Sequence, residues 1–286
     1  MANLSLNPMA TTNAAGSFGV QSDGFIQGVA LDDPANRFNL ASGTVAATET
    51  KPLWGGLPVA ELLPGVNSSP RGSTIRRAVS LAELEGFTVF NQAHNGLTTP
   101  QSPVPLYASG MSVSFYRLGS NMRVPLKASA QVVALGTAGA SVKTPLAWDF
   151  VNNQVTTAAA AAFAGADIAT TAVTYSNGVA TVTTASAHGL TAGQYVKISG
   201  VAPAAYNGTV VVLTVPSATT FTYAPASAPG GSATTQGTIG AVAQADITLP
   251  VKVISIESGN SKTVNYDSAT GFLTWNNTDS CALVLL

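Results

Sequence analysis

The sequence predicts an all-β protein. Its main domain is an antiparallel β-barrel or sandwich, interrupted by an inserted small β-barrel domain of immunoglobulin or SH3 size and preceded by an extended N-terminal arm. Three observations carry this prediction. Short alternating apolar runs recur between Pro and Gly punctuation, the pattern of antiparallel strands joined by turns. Charged residues make up 9% of the 286 residues, against roughly 25% in a typical soluble domain. Between Ala158 and Ala245 the only charges are Asp167 and Lys197, while the flanking segments share a richer charge and aromatic usage. A composition shift bounded on both sides by one style reads as an insertion, which surface loops tolerate. The expected division is an arm at 1–22, a main β-domain at 23–165 plus 241–286, and an inserted β-domain at 166–240.

The arm is rich in Asn, Ala, Ser and Thr, lacks periodicity, and is expected to order against a partner. Structured sequence begins at GFIQGVALDD (Gly24–Asp33). Strand-like runs follow: RFNLASGTVAA, KPLWGGLPVAELLPG, GFTVFNQA, MSVSFYRLG and MRVPLKASAQVVALG. Ser80 and Glu83 match a capping box, with Gly86 placed to end a helix of one or two turns. The Ala run at 158–162 reads as a short helix or a spacer, with propensity on the side of helix. In VTYSNGVATVTT (Val173–Thr184), Asn177-Gly178 supplies the two left-handed residues of a type I′ hairpin turn. GQYVKISG, GTVVVLTV and TTFTYAP are further strands, and Pro225–Gly240 reads as a Gly/Ser/Pro-rich linker. The C-terminal part reads as a three-stranded meander. LPVKVISI turns at ESGNS into KTVNYD, a second turn at SATG precedes FLTWNN, and CALVLL closes the chain.

Net charge is −1, so no electrostatic footprint for nucleic acid or an anionic membrane is visible. Such low net charge protects poorly against self-association, which fits a surface covered by neighbours. No run reaches the roughly 18 apolar residues of a membrane span. The N-terminus lacks a basic region followed by an apolar run, so the chain is expected to be made and kept in a cytoplasm. Cys281, the only cysteine, excludes an intramolecular disulfide and a polythiolate metal site. In SCALVLL it reads as a small buried residue.

Chemistry finds little purchase. His94 sits in a turn-like loop, and neither it nor His188 lies in a metal spacing or near a Cys partner. No G-x-S-x-G elbow is present, and SGNSKTV (Ser258–Val264) reads as a hairpin turn, not a phosphate loop. The local carboxylates are Asp32-Asp33, Glu83, Glu85 and Asp149. The first pair initiates a turn before Pro34, the cap explains Glu83, and nothing converges. No catalytic, cofactor or metal residue is assigned. Arg71, Arg76 and Arg77 form the one concentrated positive patch, suited to a carboxylate or phosphate or to a salt-bridged protein contact. Trp54, between a Pro and a Gly pair, is placed either as a loop-tip anchor at an interface or as core. Trp148 and Trp275 read as core candidates.

Ser186–Tyr223 reads SAHGLTAGQYVKISGVAPAAYNGTVVVLTVPSATTFTY. It resembles a small β-barrel module of tailed-bacteriophage virion proteins, through His188, Gly189, Leu190, Gly193, Val196, Ile198, Asn207, Gly208 and Phe221. Gln194 stands where that pattern commonly has an acidic residue. GVALDDPANRFNLASGTVAATETKPLWGGLPVAE (Gly28–Glu61) and the closing LPVKVISI…CALVLL are similar in style to phage capsid cement, or decoration, proteins. The resemblance implies a β-rich, non-catalytic homo-oligomer on the outer capsid surface, seated between major capsid protein subunits. Its location would be the virion, after synthesis in the bacterial host cytoplasm.

On that basis the expected capsid or self contacts are the arm with Phe18, the PLWGGLP loop with Trp54 and Leu57, and the stretch with Arg71, Arg76 and Arg77. A tail or fibre location is the alternative, with residues 166–240 touching host glycan through Tyr195, Tyr206, Phe221 and Tyr223. A polysaccharide-active enzyme would require two converging carboxylates. Within the module, His188 reads as a turn residue with its ring hydrogen-bonded locally, and Asn207-Gly208 as a tight turn.

Overall fold

A computed structural model describes residues 12–14, 20–22, 25–29, 39–64, 72–90, 96–99 and 101–286. The expectations placed on Phe18, Asp32, Asp33, Arg71 and His94 fall outside these residues. The chain divides into two compact units, Met1–Thr144 with Pro250–Leu286, and Pro145–Leu249.

In the first unit, β1 (Thr12–Ala14) and β2 (Val20–Ser22) pair antiparallel. A closed barrel follows, built from β3 (Leu40–Val45), β4 (Pro58–Leu62), β5 (Ser73–Arg77), β6 (Gly86–Val89) and β7 (Ser112–Arg117) in the order β3-β5-β4-β6-β7. β7 returns to β3 in register from Leu40↔Tyr116 to Thr44↔Ser112, so the barrel has no free edge. Only β3 and β5 run parallel. Val45, Val59, Ile75, Val113 and Phe115 fill the interior, one face of each alternating strand.

Two glycine-containing loops meet at the end of this barrel. Gly28 adopts a φ of +73°, and a Cβ there would lie 2.1 Å from the Gly55 carbonyl carbon. Only a bare backbone on both sides allows the segment Phe25–Val29 to pass the WGG loop. That segment hydrogen-bonds on every side. Gly28 N donates to Pro125 O (2.8 Å), Gln27 N to Lys262 O (2.9 Å), and Phe90 N to Gly28 O (2.7 Å). The buried Gln27 side chain accepts from Val264 N at 3.0 Å.

β8 (Arg123–Lys127) leads into α1 (Ala130–Thr137). The sequence reading treats MRVPLKASAQVVALG as one strand-like run; the structure ends the strand at Lys127 and caps a helix with Ser129, whose hydroxyl accepts from Val132 N. Conversely, the expected capping box at Ser80 is not formed. Leu81–Glu83 is a single 3-10 turn without a side-chain cap, the Glu83 carboxylate takes Arg76 and the Val79 N–H, and Gly86 opens β6.

The second unit opens with the hairpin β9 (Leu146–Asp149) and β10 (Gln154–Thr157), then α2 (Ala158–Ala161), where the Thr157 hydroxyl accepts from Ala160 N at 3.2 Å. Its seven-stranded sheet comprises β11 (Ile168–Ser176), β12 (Val179–Thr184), β13 (Tyr195–Ser199), β14 (Gly208–Val211), β15 (Thr214–Ser217), β16 (Thr220–Tyr223) and β17 (Thr238–Gly240). The order is β14-β13-β17-β11-β12-β16-β15. The outermost strands are consecutive pieces of one segment, so the sheet curls until Val212 N bonds to Gln194 O and Leu213 N to Thr222 O. Asn177 and Gly178, at φ of 49° and 83°, form the β11–β12 turn the Asn-Gly pair predicts.

The sheet thus runs from Ile168 to Gly240, while the compact unit also takes in β9, β10, α2 and α3 (Gln244–Ile247). Its limits lie outside the 166–240 drawn from charge. Of the expected linker Pro225–Gly240, residues 225–237 are largely irregular, but the last three form β17 between β13 and β11, with Ile239 buried in the core. Gly237, just before the strand, passes close to β13, where a Cβ would meet Ser199 O at 2.0 Å.

The chain then returns to the first unit as two long strands, β18 (Lys252–Tyr266) and β19 (Leu273–Leu285), in a sheet of order β18-β19-β8. The meander is therefore a hairpin. ESGNS is no turn but an irregularity inside β18, where the register slips between Glu257 and Ser261. The turn is at SATG, where Asp267 accepts from Ala269 N (2.9 Å) and Thr270 Oγ1 (2.7 Å) and Gly271 takes a φ of 75°.

Gly28→Ala is expected to destabilise the first unit by more than about 3 kcal/mol, since backbone would meet the new methyl at a strained φ. Gly178→Ala, at similar φ with open space around it, is expected to cost about 1 kcal/mol. Thermal unfolding of the two variants side by side checks the contrast.

Candidate interaction surface

The residues expected to reach outward are largely turned into the fold. Trp54 is 2% exposed and Leu57 is fully buried, both within the first unit's core with Phe90, Tyr107 and Leu273. This corrects the loop-tip reading. Thr88 bonds the loop from within, its hydroxyl accepting from Leu57 N at 2.9 Å and donating to Trp54 O. The Trp54 indole stacks on Tyr266 with centroids 5.6 Å apart, and the Arg77 guanidinium lies 4.8 Å from the indole centroid. A cation over an aromatic face is attractive, more so when partly desolvated.

Arg77 is held from two more directions. Its Nη2 donates to Pro52 O (3.0 Å) and its backbone N donates to Glu49 Oε2 (2.8 Å). Burial lowers the Arg77 pKa, with Glu49 and then Tyr266 opposing; an arginine remains charged regardless. Arg76 forms a two-point ion pair with Glu83, partly exposed on both sides. Neither arginine thus presents an unengaged guanidinium to a phosphate. A third fork lies at the barrel rim, where Arg117 Nε and Nη2 meet the Glu61 carboxylate at 2.8 and 2.7 Å. The Arg117 hydrogen bonds hold the Glu61 carboxyl below the usual range, against the pull of burial. Glu49, Glu61 and Tyr266 are the partners that sequence reasoning missed, because each lies at least fifteen positions from the arginine it meets.

In the second unit, His188 is buried and its Nδ1 accepts from Leu190 N at 3.0 Å, so the proton sits on Nε2. Nε2 has no hydrogen-bond partner among the described residues. The ring packs edge-on against Phe221 at 5.5 Å. Asn207 ties down Val201 twice, accepting from its N at 2.9 Å and donating to its O at 2.7 Å; this is a strand-like lock instead of the expected tight turn. Asp149 likewise caps a turn, accepting from Val151 N (2.9 Å), Asn152 N (3.0 Å) and Asn152 Nδ2 (2.6 Å). Gly193 lies against this carboxylate, where a Cβ would come within 2.5 Å of Oδ1. Among the described residues no three His, Cys, Asp or Glu side chains group to hold a metal ion.

Tyr195, Tyr206, Phe221 and Tyr223 are all buried, so none offers a stacking platform to a sugar. Burial raises the Tyr195 hydroxyl pKa, which donates to Trp148 O at 2.6 Å. The outward strand positions carry hydroxyls instead. Pairing aligns Thr174, Thr181, Thr222 and Thr214 in one row across β11, β12, β16 and β15, with Thr222 and Thr214 oxygens 2.7 Å apart.

The chain matches no known family, no curated protein and no solved structure.

Trp54→Ala is expected to cost about 3–5 kcal/mol in the first unit's unfolding free energy, the range for emptying an aromatic core site. A surface anchor would leave chemical denaturation unchanged. Burial pushes the Cys281 thiol up to about 12, and alkylation requires the thiolate. Iodoacetamide at pH 8 is expected to spare the native thiol and label it once the chain is unfolded, as mass spectrometry would read.

Proposed function

We propose that this chain is a virion structural protein of a tailed bacteriophage: a non-catalytic capsid cement protein. It binds the outer capsid surface between major capsid protein subunits, associates with its own copies, and stabilises the head. It is made in the host cytoplasm and carried on the particle. The observation that supports this most is the fate of its conspicuous groups. Among the described residues Arg76, Arg77 and Arg117 are each engaged by a partner within the chain, the tryptophan, tyrosine and His188 rings named above pack inside the fold, and a row of threonine hydroxyls with few charges faces outward. Such a surface suits coverage by neighbours better than turnover of a substrate. Weak contacts repeated over a particle add through effective concentration, and the polar N-terminal segment would contribute by strand addition or draping.

The module signature agrees with this role. His188, Leu190, Val196, Ile198 and Phe221 serve as core and turn residues, so the signature reads as a scaffold. The glycan-binding alternative loses its aromatic platform to the interior.

Purified protein added to undecorated expanded heads is expected to bind in hundreds of copies and raise the temperature at which the heads disrupt. Removing residues 2–20 is expected to weaken that binding at least tenfold. Images showing a handful of copies at the tail would overturn the cement reading in favour of the tail or fibre one.

A further inference from the structure

In the sheet β18-β19-β8 a stretch of the β18 edge is open among the described residues. β18 is its outer strand, and the far end of that strand is covered: Lys262 N donates to Phe25 O at 2.8 Å and Lys262 O accepts from Gln27 N at 2.9 Å. Among the described residues, no backbone hydrogen bond reaches the outer edge of Lys252–Glu257. An open groove of about 490 Å³ runs beside it, also lined by Val133, Leu135, Gly136 and Thr137 of α1 and by Gly139–Val142 after it. Its β18 lining is Val253, Ile254, Ser255, Ile256 and Ser258. Residues from both faces of the strand line it, which fits a groove that opens along the strand's edge. Ile254 and Val142 stand in it 46% and 53% exposed.

The edge is self-complementary. Lys252, Ser255 and Glu257 pair across β19 with Leu285, Leu283 and Cys281, which alternate by two and so share a face. The spacing works because Ile254 is an extra residue, a bulge between Val253 and Ser255. With Ser255 at the centre, a second copy laid antiparallel sets Lys252 against Glu257 twice and Ile254 beside Ile256. Regular alternation over an uninterrupted 252–257 would put Lys252 and Glu257 on opposite faces. Within one chain the two charges lie about 13 Å apart along the strand, and neither forms an ion pair among the described residues.

We propose that Lys252–Glu257 of β18 is a homodimer interface, where two copies pair antiparallel about a two-fold axis at Ser255 and join their three-stranded sheets. Isologous contacts of this kind place each residue and its complement on both subunits. The interface names the surface for the self-association included in the capsid reading, but its geometry does not require a capsid. A short paired edge buries little area, so the dimer is weak in solution and favoured where copies are crowded.

Sedimentation over a concentration series, without particles, tests it. The wild-type chain is expected to show a concentration-dependent monomer–dimer equilibrium. Lys252→Glu and Glu257→Lys, each with an unchanged melting curve, should each raise the dimer dissociation constant at least tenfold. Mixing the two variants should restore pairing, because each then meets the opposite charge twice, and the doubly swapped chain should dimerise by itself. Oxidised Ser255→Cys should give a covalent dimer. A wild-type chain that stays monomeric, single swaps without effect, or a mixture that fails to pair would each overturn the interface. A monomeric chain whose Lys252→Glu variant binds heads less well would also overturn it, assigning the edge to another protein's strand. A chain that dimerises but does not bind heads would sink the capsid reading alone.

Discussion

The first unit depends on one close approach, the passage of Gly28 against Gly55. The five residues Phe25–Val29 touch the barrel through Phe90, the edge strand β8 through Pro125, and the long hairpin through Lys262 and Val264. Remove the room for that backbone and the barrel, β8 and the hairpin lose their common strap. The surrounding sequence is shaped by the same constraint. Gly55 faces the Phe90 ring, where a Cβ would fall 2.5 Å from Cδ2, and Gly56 faces the Gln27 side chain. Trp54, just before the glycines, is drawn inward by the same turn and closes the core in contact with Arg77 and Tyr266.

A chain with few charges must still satisfy those it has, because an unpaired buried charge is costly. The described arginines of the barrel show the solution. Arg117 is forked by Glu61, Arg76 by Glu83, and Arg77 is laid on an indole with a backbone carbonyl as acceptor. Exposed pairs of this kind contribute little stability in water; their role here is to hold strand ends and loops in register. The second unit uses hydroxyls and amides for the same work. Asn207 latches Val201, and the Thr170 hydroxyl accepts from Gly237 N at 2.9 Å. A surface of this kind carries no long-range electrostatic signal, which suits contact by shape and by strand edges.

Much of this was legible from residue order. The all-β class, the β11–β12 turn at Asn177-Gly178, the strands around Val196 and Phe221, and the local hydrogen bond of His188 follow from patterns a few residues long. The misreadings share one cause. The sequence 225–240 looks like a linker because Gly, Ser and Thr dominate, yet its last three residues form β17, with Ile239 in the core between two strands. ESGNS looks like a turn because Gly and Asn punctuate it, yet it is absorbed as an irregularity in a long strand whose partner lies across the hairpin. KASAQVVALG looks like strand because Val and Leu recur, yet Ser129 starts a helix there.

The sequence by itself determined local geometry: where left-handed residues permit turns, where alternation makes strands, and where composition sets the second unit apart. Only the tertiary structure decided which groups face outward. Whether Trp54 is an anchor or core depends on Gly28, Phe90 and Tyr266, which are far from it in the chain. Whether Arg76 and Arg77 are available depends on Glu83, and on Glu49 and Trp54. The open edge of β18 is visible only once the sheet order is known, since burial and pairing are set by contacts between distant segments that no short stretch encodes.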